Sequence, residues 1–197
     1  MDEVKPQRRD YVEQTRQSLL QAAEELFIEQ GYRLTSLDAV GAAARFTKGA
    51  VYRHFKDKQT LFAAVFERVE IDTMNALLSD TEQEGEIWES GMNALARYLE
   101  VCTAERYRRI VLEEGPAVLG WPRWRELDRR FAGSYLDRLL EELMERGALP
   151  QYPVDLLSRL CCSLIGEGAF AVADSSNPAE TRQQVLTILS RMIVGLR

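Results

Sequence analysis

The chain has 197 residues, with 25 Lys+Arg against 31 Asp+Glu, 46% hydrophobic and 28% charged residues, 12 Gly and 6 Pro. That composition excludes disordered, collagen-like and fibrous classes, and the length suits one domain or two small ones around a substantial core. The charged start MDEVKPQRRD lacks the apolar stretch of a secretory signal, no run approaches the ~18 apolar residues of a membrane helix, and neither CxxC nor HExxH occurs beside the one histidine, His54.

In chain order, residues 10 to 30 place Val12, Leu19, Ala22, Ala23, Leu26 and Phe27 at three- and four-residue steps and then meet Gly31, which predicts an amphipathic helix with a glycine stop. Thr35 or Ser36 caps a short second helix with Leu37, Val40 and Ala44 on one face, and Thr47 caps a third with Val51 and Phe55 inward. A fourth starts near Asp57 or Lys58 and carries Leu61, Phe62, Val65 and Phe66. Further helices are predicted near 84 to 102, 104 to 114, 122 to 146, 154 to 174 and 178 to 195, with the prolines falling between them. No segment alternates with period two, so the fold class is all-α with about nine helices.

Cysteines Cys102, Cys161 and Cys162, odd in number and two of them adjacent, make no disulfide framework. The expectation is a cytoplasmic protein with no membrane association, no metal and no cofactor. The net charge of -6 is unevenly spread. Residues 1 to 60 balance at +1 and the remainder at -7, while Arg45, Lys48, Arg53, Lys56 and Lys58 face only Asp57 within 45 to 58. A basic island in an acidic chain marks a phosphate-binding surface. The stretch TSLDAVGAAARFTKGAVYRHFKDK, residues 35 to 58, reads as two short helices joined by a tight turn, a helix-turn-helix. Its second helix must be slim enough for a major groove and must present donors. Gly49 and Ala50 supply the slimness, Lys48 and Arg53 reach guanine acceptors or phosphate, and Thr47, Tyr52, His54 and Lys58 suit phosphate oxygens.

With Phe27, Gly31-Tyr32, Thr35-Ser36, Val40, Ala44, Thr47-Lys48-Gly49, Val51-Tyr52, His54-Phe55 and Lys58 through Leu61 in register, residues 12 to 72 resemble the DNA-binding domain of the TetR/AcrR family of transcriptional regulators. Arg45 departs from the family's usual turn glycine: arginine there either strains a positive φ by about 1 kcal/mol or adds a phosphate contact. The resemblance implies an arm at 1 to 11, a helix-turn-helix domain at 12 to 72 with Thr35, Ser36 and Arg45 added to the DNA-contacting residues, and a ligand-binding and dimerisation domain at 73 to 197.

It further implies a homodimer through the last two helices. There Leu157, Leu160, Cys161, Leu164, Gly168 and Ala169, then Val185, Ile188, Leu189, Met192 and Leu196 form apolar stripes equally compatible with an internal core. It places a small-molecule effector pocket in the central helices, with candidate lining Trp88, Met92, Tyr98, Cys102, Tyr107, Trp121, Trp124, Phe131, Tyr135, Cys161, Ile165, Glu167 and Phe170. Glu113, Glu114 and Glu167 stand on apolar faces and need a partner or solvent; Glu167 either receives a cationic or hydroxyl-bearing ligand or pairs with an arginine such as Arg108 or Arg109. The expected function is a repressor of a palindromic double-stranded operator, released by a hydrophobic or amphipathic effector. An activator of the same fold is the alternative. A helical enzyme is disfavoured, since no GxSxG, GxxxxGK[ST] or GxGxxG appears.

Overall fold

Among the residues that the computed structural model describes, 5–79 and 87–196, every regular element is helical. In order they are α1 (Lys5–Leu34), α2 (Leu37–Ala43), α3 (Lys48–His54), α4 (Lys58–Ser79), α5 (Ile87–Val101), α6 (Glu105–Tyr107), a π-helical segment π1 (Arg108–Glu114), α7 (Gly115–Leu119), α8 (Trp121–Asp128), a second π segment π2 (Arg129–Gly133), α9 (Ser134–Glu145), α10 (Val154–Ala173) and α11 (Pro178–Val194). The π segments run directly into their neighbours, so the described residues form nine continuous helical runs, as the sequence predicts. Positions 1–4 of the expected arm and the first residues of the helix expected from 84 lie outside the described residues.

Two departures from the predicted boundaries have local causes. Gly31 does leave helical space, at φ 79 and ψ 165, but one more turn follows to Leu34. A Cβ at position 31 would sit 2.8 Å from Glu114 Oε1 and 3.0 Å from Arg109 Nη2, so glycine meets both the backbone angle and the close approach. The Tyr32 N–H donates to Glu114 Oε1 at 3.0 Å, which caps the resumed turn with a side chain from π1. Second, the helix expected to stop at 114 runs through Pro116 to Leu119. An i to i+5 ladder would ask Pro116 to donate to the Val111 carbonyl, and proline has no N–H. The Trp124 indole N–H takes that carbonyl instead, at 2.8 Å, so the proline leaves no orphan.

The helix-turn-helix half has no core of its own. Leu19, Ala23 and Phe27 of α1 and Leu61, Phe62, Val65 and Phe66 of α4 are buried in one cluster with Ile110 and Val111 of π1 and Leu127 of α8. Polar contacts repeat the link. The Glu24 carboxylate of α1 accepts from Arg68 of α4, at 2.5 Å, and from Arg106 of α6, at 2.6 Å, while Arg106 also reaches Asp72 at 2.6 Å. Gln59 at the start of α4 donates to the Val118 carbonyl at 2.7 Å.

On length and mean hydropathy, 1.5, α10 does reach what a membrane crossing needs, contrary to the sequence expectation that no stretch would. In the fold its Leu157, Ser158, Cys161, Gly168, Ala169 and Val172 are buried, and a Cβ on Gly168 would come 2.7 Å from Val185 Cγ1 of α11. One face of the helix is apolar because it packs on its neighbours, while Leu156, Leu160 and Leu164 on another face stay exposed.

Candidate nucleic-acid interface and internal cavity

The helix-turn-helix is set by caps and one close crossing. Ser36 Oγ accepts from Ala39 N–H at 3.1 Å, and Thr47 Oγ1 accepts from Ala50 N–H at 3.3 Å, so both short helices carry side-chain N-caps. Between them, Phe46 N–H donates to Gly41 C=O at 2.8 Å and Arg45 N–H to Ala42 C=O at 3.1 Å, the two bonds of a Schellman motif. That motif puts its C′ residue in the left-handed region, and Arg45 occupies it at φ 61. The turn therefore requires φ > 0 at position 45, where the family's usual residue is glycine. Gly41 is buried where α2 crosses α3; a Cβ would lie 2.9 Å from Val51 Cγ2 and 3.2 Å from the Phe46 carbonyl oxygen.

With Val51 turned inward, α3 exposes Lys48, Gly49, Tyr52 and Arg53; Ala50 and His54 are half-buried. Ser36, Arg45 and Thr47 are exposed beside them. Lys48 Nζ pairs with Asp38 Oδ2 at 2.8 Å and stands 5.7 Å from the Tyr52 ring centre. Both partners of that pair are more than half exposed, so it is weak and exchangeable. Burial, and then the charges of Arg16 and Arg53, hold the His54 imidazole below its ordinary value, which leaves it neutral at pH 7. Arg16 reaches this face from α1, 5.5 Å from the Phe55 ring centre. The sequence reading missed it because its partners are far along the chain.

Two predicted DNA contacts are corrected. Thr35 is 1% exposed and its hydroxyl donates to the Gly31 carbonyl at 2.9 Å, so it serves the end of α1 and has no proton free to donate to a phosphate oxygen. Lys58 Nζ donates to the carbonyls of Tyr32, Arg33 and Thr35 at 2.7, 3.3 and 2.7 Å and lies 4.3 Å from the Tyr32 ring centre. All three ammonium protons are committed to the carbonyl end of α1, where a cation is favoured. The N-terminus of α4 carries its own anion: Asp57 Oδ1 accepts from Thr60 N–H at 2.6 Å.

A cavity of about 100 Å³ opens between α4, α5, the α8–π2–α9 run and α10. Of the sequence candidates, Tyr98, Tyr135 and Ile165 line it. Trp121, Trp124, Glu167 and Phe170 line an adjoining outer groove of about 340 Å³, where the three rings pack edge-to-face or tilted with centres 5.3 to 5.6 Å apart. The others line neither space. Trp88 and Cys161 pack with Leu140 and Leu143, Met92 packs beside Leu189, Cys102 and Tyr107 are buried in the main core, and Phe131 lies under the Arg130 guanidinium. The sequence reading missed most of the wall, namely Met74, Leu77 and Leu78 of α4, Ala94 and Leu95 of α5, Asp128, Ala132, Leu136, Leu139 and Cys162. Glu113 is paired with Arg108 and Arg109 and Glu114 with Tyr32 N–H, while Glu167 stays exposed without either arginine.

Behind the cavity wall runs a chain of buried acids. Tyr98 and Tyr107 hydroxyls lie 3.3 Å apart, and Tyr107 O–H donates to Glu70 Oε1 at 3.3 Å. Burial, with the nearby Asp128, pushes the Glu70 carboxyl well above the ordinary carboxylate range. Burial alone pushes Asp128 up to about 6.

Comparison with known proteins agrees with this architecture. Residues 19–65 match the family described as bacterial regulatory proteins, tetR family, and residues 67–196 match the tetracyclin repressor-like C-terminal domain. The chain is 23% identical to the TetC protein of transposon Tn10 from Escherichia coli, over 99% of this chain and 98% of that one. A crystal structure of a TetR-family transcriptional regulator from Pectobacterium atrosepticum superposes with a TM-score of 0.84 at 31% identity, covering 95% and 96% of the two chains. The fold is shared with RolR, whose complex with resorcinol superposes with a TM-score of 0.74 at 19% identity over 93% of this chain and 89% of that one.

Proposed function

The chain belongs to the TetR family of bacterial regulatory proteins, and on that footing we propose that it is a cytoplasmic, homodimeric repressor that binds a palindromic operator and leaves it when the cavity takes up a small apolar or amphipathic effector. In this reading residues 12–72 bind DNA and residues 73–197 bind effector and partner. The DNA face is Ser36, Arg45, Thr47, Lys48, Gly49, Ala50, Tyr52, Arg53 and His54, joined by Arg16.

The dimer reading rests on an exposed apolar stripe. Leu156, Leu160 and Leu164 stand at i, i+4 and i+8 on α10, and Ile188 and Met192 at i, i+4 on α11; each is at least 40% exposed. Such a stripe marks an interface, and two packed helices from each subunit give a four-helix bundle. Of the stripe residues named from sequence, Leu157, Cys161, Gly168, Ala169 and Leu189 face inward instead.

The observation that carries the mechanism is α4. Its C-terminal end supplies Met74, Leu77 and Leu78 to the cavity wall, and its N-terminal end holds the end of α1 through Lys58. A ligand that favours one placement of α4 therefore changes the setting of the two recognition helices, to the extent that it binds the two placements unequally. Selection of random DNA fragments by the purified protein tests the reading. An enriched palindrome with half-sites ~34 Å apart supports it, and enrichment of no sequence by a folded dimer overturns it.

A further inference from the structure

We infer that the cavity is built for a lipophilic organic cation, with an apolar body among Leu77, Leu95 and Leu139 and one protonated nitrogen donating to the Asp128 carboxylate. The inference rests on reading the cavity as the effector site, and it adds the charge of the ligand and the residue that anchors it.

Asp128 is the one formally charged side chain among the described residues that line the cavity; no Lys, Arg or His is on that wall. It is half-buried in that wall, and no described residue gives its carboxylate a hydrogen bond or an ion pair. A partly desolvated carboxylate on an apolar wall gains by accepting from a cationic donor, which replaces the water it has lost. The groups in electrostatic reach from the packed elements are Glu70 of α4, Tyr98 of α5, Cys102 just past its end, Tyr107 of α6 and Cys162 of α10. Each becomes negative when it loses a proton. A cation relieves that field, and a carboxylate or phosphate ligand worsens it. On the groove side Arg125, Arg129 and Arg159 share their wall with Glu126 and Glu167, and none of the three arginines pairs with Asp128. Asp128, Cys162 and Gly166 line both spaces, which puts the carboxylate at the partition between groove and chamber, within reach of an entering ligand. Tyr98 and Tyr135 add ring faces to the same chamber, and ring faces also attract cations.

The test uses three probes with one body and three charges, phenylbutylamine, phenylbutanol and phenylbutyrate, titrated calorimetrically into the full-length protein and into Asp128→Asn. The expected order of affinity at neutral pH is amine, then alcohol, then butyrate, with the amine ahead of the alcohol by about tenfold or more. Asp128→Asn, which keeps the shape and removes only the charge, should abolish the preference for the amine and leave alcohol binding within about twofold. Because the empty carboxyl titrates at about 6, amine affinity in the unmodified protein should fall about tenfold per pH unit below that value, while alcohol affinity stays flat. Butyrate binding as tightly as the amine, or an amine preference that survives Asp128→Asn, overturns the inference and leaves the effector cavity standing. If none of the three binds, the cavity reading falls with it.

Discussion

Glu24→Gln removes the charge at the centre of the contact between α1, α4 and α6. In the native protein the carboxylate, 7% exposed, accepts from Arg68 Nη2 at 2.5 Å and Nε at 3.2 Å, and from Arg106 Nε at 2.6 Å and Nη2 at 3.1 Å. Breaking a buried pair from one side costs about 3–5 kcal/mol when the remaining charge is stranded. Here the cost is moderated, since Arg106 keeps Asp72 and glutamine still accepts through one oxygen, so a loss of about 2–3 kcal/mol is expected. For a chain of this size that corresponds to a Tm lowered by about 5–10 °C, measured by circular dichroism at fixed protein concentration. The sign of the pH dependence follows from the pair. Burial pushes the Glu24 carboxyl up, but the hydrogen bonds from Arg106 and Arg68 outweigh it and hold the group below its ordinary 4.5. A depressed folded-state value gives stability that is present above 4.5 and is lost as the pH falls through the folded value. The gap between the two proteins should therefore close in acid. A Tm unchanged at neutral pH, or a gap that widens in acid, would refute the role given to this carboxylate.

Four further outcomes follow from single side chains. Arg45→Gly relieves the positive φ and should raise stability by about 1 kcal/mol in urea unfolding while weakening DNA binding, because the exposed guanidinium stands beside α3. Lys58→Met should lower stability by about 2 kcal/mol, since three carbonyls at the end of α1 lose a charged donor; a variant of native stability with weaker DNA binding would return Lys58 to the phosphate role. Lys48→Ala should leave Tm nearly unchanged and reduce specific binding more than non-specific binding in competition gel shifts, since its ionic partner among the described residues is the exposed Asp38. Asp128→Asn should stabilise the empty protein by about 2–3 kcal/mol above pH 6, a gain that shrinks toward zero as the pH falls to the unfolded value near 3.8, because a carboxyl raised on folding costs stability only where it ionises.

Local signals were legible in the sequence, and features made by distant neighbours were not. Ser36 and Thr47 as caps, Gly31 as a break and the inward Val51 follow from spacing within a turn or two. Thr35 and Lys58 look like phosphate donors in a basic segment, and only the approach of α1's last carbonyls to α4 turns them into structural groups. Pro116 reads as a terminator until Trp124, from the next helix, supplies the hydrogen bond it lacks. The sequence points to the central helices for a pocket, whereas α4 also supplies Met74, Leu77 and Leu78 to the cavity, and of the sequence candidates Tyr98, Tyr135 and Ile165 line it. An aliphatic such as Leu95 or Leu139 gives the same helical periodicity whether it fills a core or borders an unfilled space, and aromatic residues drew attention because they are large. Asp128 is one charge among many in a polar segment, and its isolation appears only when α4, α5 and α10 close around it.

Fluorescence anisotropy of the selected palindrome, titrated with protein across a series of salt concentrations with stoichiometry read at saturation, tests the central claim most directly. The account predicts two protomers per palindrome and log K falling linearly with log salt at a slope of about -0.9 per phosphate neutralised, with several phosphates contacted. A slope near zero, or tight binding of one protomer to a single half-site, would contradict it.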